Sequence, residues 1–510
     1  MDFISASQCL PILRLVISFS FIILGLYGLI TLIIVPLLKM RSYQKKGVLC
    51  SFTPLLGVLS RIIVGETQHN DAYWYYKTLS KKTVDLNIEL TNLGSHLTWI
   101  LYSPKIIKEF YSKQAYYRKV EAPKSIAVLM GTGLISAEGN LWKNHRRIIS
   151  TLFHFNFLKQ QVPVIVETAR EFLNKLAPNR EKQVVVVDEI QKITGEIVGR
   201  IFFSENLNQY LIKGLPMTLF LAELTNKSSL SFRHLGVILA FGTGVDPEWV
   251  PSYNDLMNDV RHFRESCLQI VQDRKNSKNK GKDLLGLMLA TQESPKPEDR
   301  FADEDIINEF ITLFLAGMDT TGHLITMALY ELAKHPICLL KAEDEVNTIY
   351  KNKTNSVVTI EVLNQMDYLH AIFKEVLRFY IPVPGVFPRI AETDHELDGI
   401  KIKKGMSVTI NPLYNYFNEQ YFQEPESFKP ERWLNKQIND IDPYVYTPFS
   451  AGARNCIGQH FAIIQAKIVV SEFLDLFKYK ITPENYKLVL TQAFLYAPKE
   501  KFLLNLQPKK

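Results

Sequence analysis

A run near the start of the chain, LVISFSFIILGLYGLITLIIVPLL (Leu15 to Leu38), carries no charge over about 24 residues. At about 1.5 Å of rise per residue, a helix of that length crosses a hydrocarbon core of about 30 Å. The run exceeds the apolar core of a cleaved secretory leader. Leu37-Leu38-Lys39 follows it, where a leader would have a small-residue cleavage site. Lys39, Arg41, Lys45 and Lys46 crowd the C-terminal flank, whereas the other flank has Arg14 and an amino terminus opposed by Asp2. The positive-inside tendency then puts the bulk of the chain on the cytoplasmic side, with the N-terminus across the membrane. The expected organisation is an anchor over 1–40, a tether over 41–75 and a globular domain over 76–510. The tether is read from turn signals at Pro54, Gly57 and Gly65 with no sustained periodicity.

The remainder is globular in balance, with 47% hydrophobic and 22% charged residues. A net charge of +7 arises from 59 basic and 52 acidic residues interleaved along the chain, which argues against a nucleic-acid surface. Five scattered cysteines without a CxxC pair indicate a reducing compartment and give no zinc spacing, and Cys50, Cys267 and Cys338 read as apolar filler. Partial two-residue alternation marks short strands in VDLNIEL (84–90), IKIKKGMSVTI (400–410) and LVLTQAFLY (488–496). Asp273 to Asp283 reads as an exposed charged loop, and most of the rest is helical in pattern. The expected class is mainly α with small β-sheets.

One cysteine stands apart. In FSAGARNCIG (449–458), Cys456 lies between two glycines and just before an apolar-striped segment, Gly458 to Phe477, that reads as a helix. The exposed amides and dipole of a helix N-terminus would favour a thiolate, and Gly452 and Gly458 let backbone approach a flat ligand. A lone thiolate facing open space is a soft axial ligand for iron and a poor zinc site.

Phe449, Gly452, Arg454, Cys456 and Gly458 together resemble the haem-ligand loop of the cytochrome P450 family at all five positions. The resemblance implies the cytochrome P450 fold after a single N-terminal transmembrane helix, with haem b bound through Cys456. In YLHAIFKEVLRFY the pair Glu375 and Arg378 matches the family's ExxR motif, and KPERW supplies Arg432, which implies a buried structural triad in place of a surface i,i+3 ion pair. Trp142 and Arg146 in GNLWKNHRRIIS resemble the family's WxxxR helix, and Arg389 matches a further ligand of the haem propionates; an indole N–H and guanidinium groups suit carboxylates.

FITLFLAGMDTTGHLITMAL belongs to a long helix expected from about Asp303 to His335 and stopped by Pro336. Gly317 and Gly322 inside it each cost about 1 kcal/mol relative to alanine, and Thr320 can return its hydroxyl to the Ala316 carbonyl, opening the helix. The resemblance gives Ala316 and Gly317 a groove for O2 across the haem, and gives Asp319 and Thr320 the delivery of protons. Ala316 stands where fatty-acid ω-hydroxylases of this family often carry glutamate, so an ester-linked haem is not expected, and the proline-rich run typical of microsomal members is missing.

The implied activity is a haem-thiolate monooxygenase that inserts one oxygen atom of O2 into a fatty acid, sterol, terpenoid or xenobiotic. Ala122–Gly133, Leu215–Leu224 and Pro382–Phe387 are the expected substrate-facing segments, the middle one serving equally well as an amphipathic helix on the membrane. Without a nucleotide-binding fingerprint of its own, the chain would take electrons from an NADPH-dependent flavoprotein reductase docking near Lys143, Arg147 and Lys429. The implied location is the endoplasmic reticulum membrane. Two alternatives stay open: a haem-thiolate hydroperoxide isomerase or dehydratase needing no O2, and a non-enzymatic haem sensor or carrier.

Overall fold

The protein is represented by a computed structural model that describes residues 19–509, except 21, 24, 55, 84, 94–95, 121–123, 177–181, 232–233, 235, 238–239, 241–245, 279–280, 352–357, 384, 386–387, 435–439 and 493–494. Part of the uncharged run, residues 15–18, 21 and 24, therefore lies outside the described residues. Gly25–Gln44 forms a helix long and apolar enough to cross a membrane. Most of its large apolar side chains stay exposed, Tyr27 at 65% and Leu38 at 58%, and only its C-terminal end meets the domain, through Met40 in the core cluster and Tyr43 edge-on to Trp99.

The stretch expected as a tether is partly folded into the domain. Leu49–Ser51 pairs in parallel with Ile88–Leu93. Val58–Gln68 is a helix whose Arg61 is buried against Glu89, with Arg61 Nη1 donating to Oε2 at 3.1 Å. Turn residues between short elements hid this, because neither element is long enough to show a period.

The long helix, Asp303–Lys334, organises the molecule. Its first turn carries Asp303, Glu304 and Asp305 and its last turn Lys334, which suits the helix dipole at both ends. From Ile306 to Leu332 nearly every residue is buried, the mark of a helix packed on all sides. It packs against Val186–Val198, Gln459–Leu476 and Asp367–Phe379. The Trp142 helix, Gly139–Ile149, lies on the cysteine side.

The main sheet has six strands in the order Leu49–Ser51, Ile88–Leu93, His96–Leu101, Ser407–Ile410, Arg389–Ala391, Tyr117–Lys119. Its last two strands are antiparallel and set Lys119 opposite Arg389. A three-stranded sheet at the other end joins Phe477–Thr482, Leu503–Pro508 and Lys182–Val185. The expected charged loop shrinks, because the helix Pro251–Asn276 runs into it. Lys and Arg keep a helix solvated as readily as a loop. The expected membrane-surface segment is the start of helix Met217–Ser231, whose Met217, Phe220, Leu221 and Leu224 are buried in the core.

Candidate active site

Two cavities flank the long helix. The larger one, in which the centre of a water-sized sphere can roam about 300 Å³, lies between the cysteine loop and the helix. One wall carries Phe449, Cys456 and Gly458, the opposite wall Ala316, Gly317 and Thr320, and the rim Trp142, Arg146, Arg389 and Arg454. Every cofactor-site residue expected from the sequence lines this one space. The accessible surface of Cys456 belongs to it: the thiol is open to the cavity and otherwise enclosed by protein.

The loop is built to present that sulfur. Cys456 N–H donates to Phe449 O at 2.9 Å and Asn455 N–H to Gly452 O at 3.2 Å, closing the turn. Gly452 sits at φ +72°, a backbone conformation that favours glycine, and the tip of the Gln114 side chain lies against it. Arg146 grips the same loop: Nη1 donates to Asn455 O and Nη2 to Asn455 Oδ1, both at 3.0 Å. The thiol itself departs from expectation. Cys456 lies just outside the helix Gln459–Leu476, and burial pushes its pKa up, overriding the Gly458 amide and the Arg146 guanidinium, which favour the thiolate. Desolvation of an unpaired charge outweighs a helix end; a metal cation would supply the missing partner.

Behind the loop, Glu375 and Arg378 are wholly buried. Arg378 donates through Nε to Glu375 Oε2 at 3.0 Å and through Nη2 to Oε1 at 2.8 Å, while Nη1 reaches Tyr416 O and Pro425 O, both at 2.7 Å. Arg432 Nε adds a bond to Glu375 Oε1 at 3.0 Å, and the indole of Trp433 one to Oε2 at 2.8 Å. The expected triad is thus a larger network, and Trp433 was missed because an indole after an arginine carries no motif of its own.

On the opposite wall Thr320 Oγ1 donates to Ala316 O at 2.6 Å, yet the helix stays α-helical throughout. Gly317 answers to packing as much as to the cavity, since a Cβ there would lie 2.8 Å from Val198 Cγ2 of the neighbouring helix. Asp319 turns away. It lines the second, smaller cavity with Gln191, Glu223, His323 and Lys501, and its carboxylate accepts from Gln191 Nε2 at 2.9 Å and Thr225 Oγ1 at 3.4 Å. Burial raises its pKa to about 6.

The substrate-facing expectation needs correction. Pro382, Val383 and Gly385 line the large cavity, but Leu215, Leu219 and Ala222 line the small one, and no described residue of Ala122–Gly133 lines either; Leu134 and Ile135, just beyond it, line the large one. Of the expected docking cations, Arg147 pairs with Asp299, and Lys429 with Glu424 at 2.6 Å. Lys119, also in the large cavity, escaped notice because nothing in YYRKV distinguishes it from a solvated strand lysine.

The donor set fits a flat apolar macrocycle bearing carboxylates: a single sulfur, apolar surface around it, and Lys119, Arg389 and Arg454 gathered about Glu138. Among the described residues no cluster of His, Cys, Asp and Glu could hold a metal by itself.

The sequence was compared with known families and the fold with solved structures. The family model for cytochrome P450 matches residues 53–505. Cytochrome P450 4Z1 of Homo sapiens is 30% identical over 404 residues, spanning 75% of this chain and 76% of that protein. Cytochrome P450 3A12 of Canis lupus familiaris is 28% identical over 422 residues, spanning 80% and 82%. Among solved structures, the heme domain of a mutant of cytochrome P450DA superposes with a TM-score of 0.76 at 23% identity, covering 91% of this chain and 98% of that one.

Proposed function

The chain belongs to the cytochrome P450 family of haem b monooxygenases, and on that premise we propose that it is a membrane-anchored enzyme that inserts one atom of O2 into a lipophilic compound with electrons from an NADPH-dependent flavoprotein reductase. The observation that carries this reading is the opposition of Cys456 and Thr320 across one apolar cavity with a cationic rim. The apolar helix Gly25–Gln44 and the Leu, Ile and Val lining favour a substrate that partitions from a bilayer, such as a fatty acid, sterol, terpenoid or apolar xenobiotic. The basic flank Lys39, Arg41, Lys45 and Lys46 favours a cytoplasmic domain on the endoplasmic reticulum.

Each residue then has a task. Cys456 Sγ would hold the haem iron, Arg146 fixes the cysteine loop, and Trp142, Arg389 and Arg454 would receive the haem carboxylates, with Phe449, Gly458, Ala316 and Gly317 lining the same cavity. Glu375, Arg378 and Arg432 hold the scaffold. The bound haem supplies O2 activation, which consumes protons. Thr320 presents its hydroxyl to the cavity and is freed for proton transfer by turning from Ala316 O. Asp319, with a pKa of about 6, exchanges protons near neutrality as a relay must, and it draws them from the smaller cavity.

The test is oxygen consumption by the full-length protein with reductase and NADPH across lipid, sterol and terpenoid panels. Matched product is expected, and Thr320→Ala is expected to consume oxygen without matching product. Turnover of organic hydroperoxides that needs neither O2 nor reductase and is indifferent to Thr320→Ala would favour the isomerase alternative. A failure of every panel to elicit oxygen consumption would favour a sensor or carrier.

A further inference from the structure

The main sheet creates an electrostatic problem at the cavity rim. Lys119 and Arg389 stand directly opposite each other on antiparallel strands, a like-charge pairing that destabilises a sheet. Arg146 and Arg454 bring two more cations to the same cavity. The crowding shows in their titration: Lys119 is pushed down to about 7 and Arg389 to about 10, by burial first and by Arg454 next.

One carboxylate reaches three of these four residues. Glu138 Oε2 accepts from Arg454 Nη2 at 2.8 Å. Its Oε1 accepts from the backbone N–H of Lys119 at 3.1 Å and stands 3.7 Å from Arg389 Nη1. Arg454 is held on its other sides by Ala137 O, 2.8 Å from Nη1, and by the face of Trp142, 4.2 Å from the guanidinium carbon. Glu138 occupies the N-cap of the Trp142 helix, yet its side chain makes no capping bond; its oxygens are committed to the rim.

We propose that Glu138 is a positioning residue of the haem site, which holds Arg454 and Arg389 in place for the haem carboxylates and, by its fixed negative charge, lowers the reduction potential of the iron. The inference rests on the haem-thiolate reading above. Reduction adds one electron to the ferric site. A nearby carboxylate opposes that addition and a cation favours it, so each has a definite sign. With its side chain 38% exposed, Glu138 is partly screened by water and the shift is modest. A side chain that merely braced the loop would leave the potential unchanged when exchanged for its neutral isostere.

The experiment is a spectroelectrochemical titration of the full-length, haem-loaded protein at about pH 6, below the titration of Lys119. Glu138→Gln is expected to move the midpoint to more positive potential and to speed haem loss to excess apomyoglobin several-fold. Glu138→Asp, which keeps the charge, is expected to stay near wild type, and Lys119→Met to move the midpoint in the negative direction. Should Glu138→Gln and Glu138→Ala fold but not take up haem while Glu138→Asp does, the positioning role is supported directly. An unchanged or more negative midpoint in a Glu138→Gln protein that keeps its thiolate spectrum would overturn the inference and leave the haem-thiolate reading standing. A wild-type protein without a thiolate spectrum would overturn both.

Discussion

Asp319 and Thr320 are consecutive residues that open onto different cavities. Thr320 lines the larger one, opposite Cys456, whereas the carboxylate of Asp319 lies in the smaller one, bonded to Gln191 Nε2 at 2.9 Å. The long helix lies between the two cavities, and Leu495 borders both. That arrangement sets the carboxyl of Asp319 apart from the cavity that Cys456 lines.

The carboxyl of Asp319 gives a pH prediction with a definite sign. Burial raises its pKa to about 6, against about 3.9 for an unfolded aspartate. Between those values the folded protein holds a proton that the unfolded chain has released, so the contribution of Asp319 to stability is present at the acidic end and is lost as pH rises through about 6. Asp319→Asn is expected to remove this slope and to raise the melting temperature at neutral pH by a few degrees, while turnover falls at least tenfold. Thermal denaturation across pH, paired with product formation, checks it. A melting temperature at neutral pH lower than wild type would contradict the account.

Arg378→Lys tests the buried network. A lysine cannot reproduce the two bonds to Glu375 together with those to Tyr416 O and Pro425 O, because an ammonium lacks the planar fork. Leaving Glu375 partly unpaired at full burial is expected to cost about 3–5 kcal/mol. Chemical denaturation reads the loss, with a matching fall in the fraction of protein that retains haem.

Gly317→Ala tests whether this glycine serves packing. A methyl group 2.8 Å from Val198 Cγ2 is expected to cost about 1–3 kcal/mol by overpacking. Val198→Ala should recover most of it, which a double-mutant cycle would measure. A Gly317→Ala protein with wild-type stability but altered oxygen binding would instead assign the glycine to the cavity.

The parts of the site that were legible in sequence are those whose residues lie within a turn or two of each other. The cysteine loop, Glu375 with Arg378, and Trp142 with Arg146 are each local patterns on one element, whereas Asp319, expected beside Thr320, opens onto the second cavity. What joins elements was not legible. Lys119 meets Arg389 only through strand register, Glu138 meets Arg454 across more than 300 residues, and Gln191 reaches Asp319 from another helix. The thiol of Cys456 shows the same limit in energetic form: the helix end that favours a thiolate is visible in the chain, but the burial that outweighs it exists only after folding.

The central claim is that Cys456 binds the iron, and the absorption spectrum of the reduced protein under carbon monoxide tests it most directly. The wild type is expected to show a strongly red-shifted Soret band that disappears in Cys456→Ser while circular dichroism remains unchanged. An unshifted band in the folded wild type, or a shifted band that survives in Cys456→Ser, would contradict the account.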